Sequence, residues 1–87
     1  MVKIEILTPE QLNQKAVFSW PTWEKEISEF EWYYDSEEHC YFIEGEVEVI
    51  TKDGVYKIQK GDYVIFPQGF SCTWRVLKPV YKHYRFL

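Results

Sequence analysis

The residues able to do chemistry are few. The chain of 87 residues carries two histidines, His39 and His83, and two cysteines, Cys40 and Cys72. Glu38, His39 and Cys40 are consecutive, and Lys82, His83 and Tyr84 follow one another near the end. No GxSxG, phosphate-binding loop, GxGxxG or CxxC pattern occurs. The sequence therefore offers no independent route to hydrolase, kinase or dehydrogenase chemistry. Cys72 would act as a nucleophile only with a depressed pKa, and it has no obvious histidine partner.

On strands, neighbouring residues face opposite ways. Glu38, Cys40 and Phe42 then share one face and His39 takes the other. Cys72 and Trp74 share a parity, as do Trp32 and Tyr34, and as do Lys82 and Tyr84, which leaves His83 pointing away. A carboxyl group among Trp and Tyr rings favours its protonated form and can serve as general acid or base, unless a cation pairs with it. Lys82, if close to Glu38, would hold it ionised.

The elements that must position these groups read as β. Lys3 to Leu7 alternates charged and apolar residues. Thr8, Pro9 and Gln11 form a helix start, with Thr8 as cap and Gln11 three residues on. Only a turn or so can follow, because the strand-like VFSW begins at Val17. Two strand-like runs lie between Trp23 and Tyr34, broken near Ser28. Cys40 to Ile43 is apolar on both parities, as in a strand covered on both sides. Gly45 marks a turn or bulge, and Val47 and Val49 alternate with Glu46 and Glu48. Asp53-Gly54 predicts a hairpin with a type I′ turn. Strands follow at Tyr56 to Ile58, Tyr63 to Phe66, Thr73 to Val76 and Val80 to Phe86, the last two separated by Lys78-Pro79. Eight or nine short strands predict a sandwich or a closed or nearly closed barrel.

Composition narrows the class. An 87-residue chain of 10.6 kDa makes one domain, residues 1–87. A net charge of −4 argues against nucleic acid as a partner. No apolar run reaches the roughly 20 residues of a membrane span, and MVKIEILTPEQ lacks a signal-peptide core. Two cysteines cannot staple a secreted scaffold and read as buried reduced thiols. The chain therefore reads as soluble and cytoplasmic, with no membrane partner. Eleven Glu against three Asp, with a single Asn, lean towards a heat-adapted source. Residues 24–48 hold ten acids and one Lys, whereas residues 49–87 hold seven bases and two Asp. The simplest account is opposite charges on neighbouring strands. Aromatics at 20% exceed what a small solid core needs. Some must line a cavity or an interface, and a homodimer is the expected assembly.

The best signal is a spacing. Glu38 is followed by six residues and Gly45. Sixteen residues later comes Gly61, then five residues, Pro67, one residue and Gly69. This resembles the paired cupin motifs G(X)5HXH(X)3,4E(X)6G and G(X)5PXG(X)2H(X)3N. YFIEG from Tyr41 and GDYVIFPQG from Gly61 are similar to cupin phrases, and the resemblance covers about residues 20–86. Trp20-Pro-Thr-Trp23, Glu29 to Tyr34, Glu38 to Tyr41, Phe66 to Gly69, Cys72, Trp74 and Lys82 to Tyr84 resemble, more narrowly, the short single-domain cupins grouped with ureidoglycine aminohydrolase and the ethanolamine-utilisation cupin. The resemblance implies an all-β, jelly-roll-like cupin barrel with at most a short N-terminal helical turn.

It also implies what is missing. Cupin metals are usually held by three His and one Glu. Here the first two His positions fall on Trp32 and Tyr34, or on Glu31 and Tyr33, and the third falls on Cys72. Only Glu38 is kept, so no metal and no cofactor are expected beyond a weakly held divalent ion. The implied cavity is lined by Trp32, Tyr34, Glu38, Cys40, Phe42, Cys72, Trp74, Lys82 and Tyr84, with Glu38 and Lys82 as the candidate catalytic pair. The leading expectation is a domain that binds a small polar or carboxylate-bearing metabolite. The alternatives are a small lyase, isomerase or amidohydrolase using Glu38 as acid or base, and a structural or regulatory module with a self-filled cavity.

Overall fold

The computed structural model describes residues 1–87. Strand β1 (Lys3–Glu5) leads into helix α1 (Pro9–Gln14). Thr8 caps that helix through the backbone N–H of Gln11, and the Gln11 side chain accepts from the Thr8 backbone, a reciprocal capping box. A single 3-10 turn, Val17–Ser19, follows. Ala16 stands between the two in the left-handed region, with φ 55°. The strand expected at Val17 is thus a helical turn: Val17 is fully buried with Leu12 and Tyr63 rather than paired in a sheet.

Six strands complete the chain: β2 (Thr22–Lys25), β3 (Ser28–Tyr33), β4 (Glu38–Thr51), β5 (Gly54–Gln59), β6 (Tyr63–Phe66) and β7 (Ser71–Phe86). The antiparallel ladder runs β1-β6-β4-β7-β2, with β5 also on β4 and β3 also on β7. Two of the strands are much longer than expected. Cys40–Ile43 and Val47–Val49 merge into the 14-residue β4, and Thr73–Val76 and Val80–Phe86 merge into the 16-residue β7. The merging hinges on Gly45 and Pro79. Gly45 has φ 108°, and a Cβ there would meet the Pro79 carbonyl oxygen at 2.6 Å. The β4–β7 register shifts three times between Phe42 and Val47, so irregular pairing absorbs the proline that lacks an N–H.

Beyond that crossing point each long strand changes partners. The first half of β4 pairs with β6 and the second half with β5. The second half of β7 pairs with β2 and the first half with β3. The sheet curls so that both halves contribute to one core, which includes Phe42, Val47, Val64, Phe66, Trp74 and Val80. It does not close into a barrel. Closure would require the end strands to hydrogen-bond, but β1 and β2 are three and four residues long and carry Lys3, Glu5, Glu24 and Lys25. Short charged edges resist such pairing. On the outer face, Leu12, Val17 and Tyr63 form a second cluster against Trp20, Tyr41 and Ile65. That cover explains why Cys40–Ile43 is apolar on both parities.

The β4–β5 turn is not type I′. Lys52 and Asp53 keep negative φ; only Gly54 is positive, at 140°. Thr51 Oγ1 organises the turn instead, accepting from the Asp53 N–H and donating to the Gly54 carbonyl. The uneven charge of the sequence becomes cross-strand pairing. Arg75 of β7 contacts Glu29 of β3 and Glu48 of β4, and Glu46 lies near Lys57 and Lys78. No helix is long and apolar enough to cross a membrane.

Candidate functional site

The site is built on the half of the sheet where β4 begins and β7 ends. Its register sets Phe42 opposite Lys82, Cys40 opposite Tyr84 and Glu38 opposite Phe86. Alternation then turns Glu38 and Lys82 to the same inner face. Lys82 reaches along that face, and its Nζ donates to Glu38 Oε2 at 2.7 Å. The two residues are only 4% and 3% exposed.

Rings surround the ammonium. Its nitrogen lies 4.8 Å from the Trp74 ring centre and 5.0 Å from that of Trp23, with Phe42 at 5.7 Å and Phe66 at 5.9 Å. Trp23 is placed by β2, where it pairs in register with Lys82. Trp74 is placed by β7 opposite Phe30 of β3, and the two rings stack at 6.0 Å. The negative faces of the rings attract a cation, so the cage and the carboxylate together hold the Lys82 side chain in place.

Tyr34 is fixed by the turn after β6. Its N–H donates to the Phe70 carbonyl at 2.9 Å, and its carbonyl accepts from the Gly69 N–H at 2.7 Å. Its ring stacks on Phe66 at 4.6 Å, and its hydroxyl accepts from Trp74 Nε1 at 3.1 Å. Burial, followed by the nearby Glu38, pushes its pKa far above the ordinary phenol range, so it remains a neutral hydroxyl.

Between these groups lies a cavity of about 220 Å³, lined by Trp23, Phe30, Trp32, Tyr34, Glu38, Trp74, Lys82, Tyr84 and Phe86. Trp32 is 45% and Phe86 50% exposed, and they form the rim. Trp32, Tyr34, Glu38, Trp74, Lys82 and Tyr84 lie together around this space. Three expected residues are elsewhere. Cys40 shares the face of Glu38, but its short side chain is fully covered and its Sγ points to the Val64 carbonyl at 3.7 Å. Phe42 packs behind Lys82 under Trp74 and does not reach the space. Cys72 opens instead on a separate shallow groove with Trp32, Tyr33 and Thr51. Burial raises its thiol to about 11 and that of Cys40 to about 12, which makes both poor nucleophiles.

Three lining residues were missed. Phe30 shares the parity of Trp32 and Tyr34, and Phe86 that of Lys82 and Tyr84, so alternation alone could have found them. Trp23 depends on the pairing of β2 with β7, which no local pattern reveals.

Neither histidine is at the cavity. His39 lies on the outer face, with Nδ1 2.6 Å from the Tyr63 hydroxyl and Nε2 2.8 Å from Glu37 Oε2. His83 Nδ1 is 2.9 Å from the Trp20 carbonyl. No group of three or more His, Cys, Asp or Glu residues is arranged to hold a metal. The donor set does not fit the resident metal of the cupin pattern: an ammonium stands against the motif carboxylate, and the histidine positions carry Trp32 and Tyr34, or Glu31 and Tyr33, with Cys72.

A curled antiparallel sheet with a GDYVIFPQG turn and an inward glutamate at the floor of an aromatic hollow is the architecture of a cupin domain. The chain belongs to the EutQ-like cupin domain family, which residues 12–84 match. It is similar to a DUF861 family protein from Thermotoga maritima, with 58% identity and a TM-score of 0.97 over the whole of both chains. A DUF861 protein of unknown function from Pseudomonas syringae is 26% identical, with a TM-score of 0.68 over 76% of this chain and 29% of that one. The EutQ protein of Clostridium difficile shares the fold at 20% identity, with a TM-score of 0.69 over 75% of this chain and 52% of its own. No curated protein matches the chain.

Proposed function

We propose that this domain binds a small polar metabolite, its apolar body between the cavity rings and its polar group on the Glu38–Lys82 pair. The observation that carries this is the pair itself, buried yet facing open space. A buried ion pair is a weak device for stability, because apolar residues of the same volume often do as well or better by about 1–4 kcal/mol. Here the pair is not packed over by side chains. It forms the polar floor of an otherwise aromatic hollow, the usual composition of a ligand site. At about 220 Å³ the hollow is smaller than a drug-sized site and suits one ring or a short chain.

Three of the four tryptophans line the cavity and supply the readout. Titration with small polar aromatics and carbonyl compounds should change tryptophan emission saturably in the wild type. The double variant Glu38→Gln/Lys82→Met should lose that response for the same compounds. Failure of every compound to give saturation, or equal responses in both proteins, overturns the proposal.

A further inference from the structure

We infer that the cavity selects neutral planar ligands that carry a hydrogen-bond donor beside an acceptor, such as a primary amide, a lactam or a urea, over carboxylates and amines. The inference rests on the binding role proposed above and names the chemistry of the ligand.

Three observations carry it. The first is that the two charged groups lining the cavity cancel: Glu38 and Lys82 are joined at 2.7 Å, and the other seven lining residues are aromatic. Of these, Tyr34 is held as a neutral hydroxyl by its burial.

The second is the way the pair is used up. Lys82 donates to Glu38 Oε2 alone. Glu38 Oε1 receives no N–H or O–H group; the carboxylate's other neighbour is the Cys40 thiol, a weak donor. Glu38 lines the cavity, and a carboxylate oxygen that holds only a weak thiol contact keeps acceptor capacity for a ligand N–H. The ammonium has three N–H groups and spends one on Oε2. The floor thus offers an acceptor and a donor side by side. A planar N–H/C=O edge complements both at once, the N–H on Oε1 and the carbonyl under Nζ.

The third is the occupied cage. Trp23 and Trp74 would bind a ligand cation well, but Lys82 already fills their faces at 5.0 and 4.8 Å. An incoming amine would meet a like charge in a water-poor space. An incoming carboxylate would gain Lys82 but meet Oε1, another like charge. Like-charge juxtaposition in such a setting costs several kcal/mol and excludes partners. A neutral ligand has neither penalty, and its plane can stack on the rings.

Benzamide, benzoate and benzylamine share one ring and differ in charge, and the test compares them by calorimetric titration at neutral pH. The wild type should bind benzamide at least roughly tenfold more tightly than either charged probe. Glu38→Gln leaves the ammonium unpaired, and benzoate should then become the tightest of the three. Glu38→Gln/Lys82→Met carries no buried charge and keeps the comparison open if the single variant unfolds. Its vacated rings should bind benzylamine, as the ammonium, better than benzoate. Benzoate or benzylamine binding tightest to the wild type overturns the inference and leaves the binding role standing. An unchanged order in both variants overturns it as well. Absence of binding by any probe to the wild type, together with a silent tryptophan titration, removes the binding role and this inference with it.

Discussion

Removing one member of the Glu38–Lys82 pair should cost very different amounts depending on which member goes. Lys82→Met leaves a carboxylate at a position that is 3% exposed, with the faces of Trp23, Trp74, Phe42 and Phe66 around the vacated space. Stranding one ion of a buried pair costs about 3–5 kcal/mol. In a domain of this size that corresponds to a melting shift on the order of 12–40 °C. Glu38→Gln strands the ammonium instead, but the ammonium keeps its rings at 4.8 and 5.0 Å. A desolvated cation–π contact is worth about 2 kcal/mol, so Glu38→Gln should cost about that much less than Lys82→Met. The double variant Glu38→Gln/Lys82→Met has no buried charge and should lie within about 1 kcal/mol of the wild type, or above it. Urea unfolding of the four proteins closes the cycle, and the coupling should reach about 3 kcal/mol. The reasoning fails if Glu38→Gln destabilises as much as Lys82→Met, or if the double variant equals the sum of the singles.

Three further outcomes follow from the same geometry. Gly45→Ala should destabilise by about 3 kcal/mol or more, read from the urea midpoint, because its Cβ would meet the Pro79 oxygen at 2.6 Å and Val80 Cα at 2.7 Å; a shift below about 1 kcal/mol would show that the crossing relaxes easily. The thiols should make the fold alkali-sensitive. Burial raises Cys40 from 9.0 to about 12 and Cys72 from 9.0 to about 11, against a smaller opposing pull from Lys82. The fold favours the protonated thiols, so their contribution is full below pH 9 and is lost as pH rises through 11 to 12. Disulfide reagents at neutral pH should label both only on unfolding, and prompt labelling of the native protein would contradict this. Trp32, Tyr33, Ile27 and Phe86 are exposed, and β2 and β3 have unpaired edges, so sedimentation equilibrium should show a dimer; a single 10.6 kDa species at high concentration counts against it.

Much of this architecture was legible because it is written in short-range signals. The spacing of Gly45, Gly61, Pro67 and Gly69 marks turns that only certain residues can make. Gly45, Gly61 and Gly69 all have positive φ. Thr8 and Gln11 announce their helix by a reciprocal pair of hydrogen bonds. Alternation grouped Glu38 with Cys40, Trp74 with Cys72 and Lys82 with Tyr84, and the cupin resemblance implied which of those faces turns inward. What stayed hidden depends on partners distant in sequence. Gly45 and Pro79 read as strand breaks, but each sits inside a long strand because the other accommodates it. VFSW reads as a strand by residue type, and only the Leu12–Tyr63 cluster shows why it coils. Trp23 enters the cavity through register with a residue 59 positions later. Parity names the face, whereas side-chain length decides whether a residue reaches the space. That is why Cys40 is on the correct face and still outside the cavity.

The two long strands have a kinetic consequence. Because β4 and β7 each run through both halves of the sheet, there is no seam along which the domain can open. Entry to the hollow does not require backbone ladders to break. The gate is the rim, Trp32 and Phe86, half-exposed rings on β3 and at the end of β7. Such rings turn on picosecond-to-nanosecond timescales, far faster than hinge or lid motions. On the binding role proposed above, encounter rather than conformational change should limit how fast a ligand arrives, and differences in affinity should reside in how long each one stays.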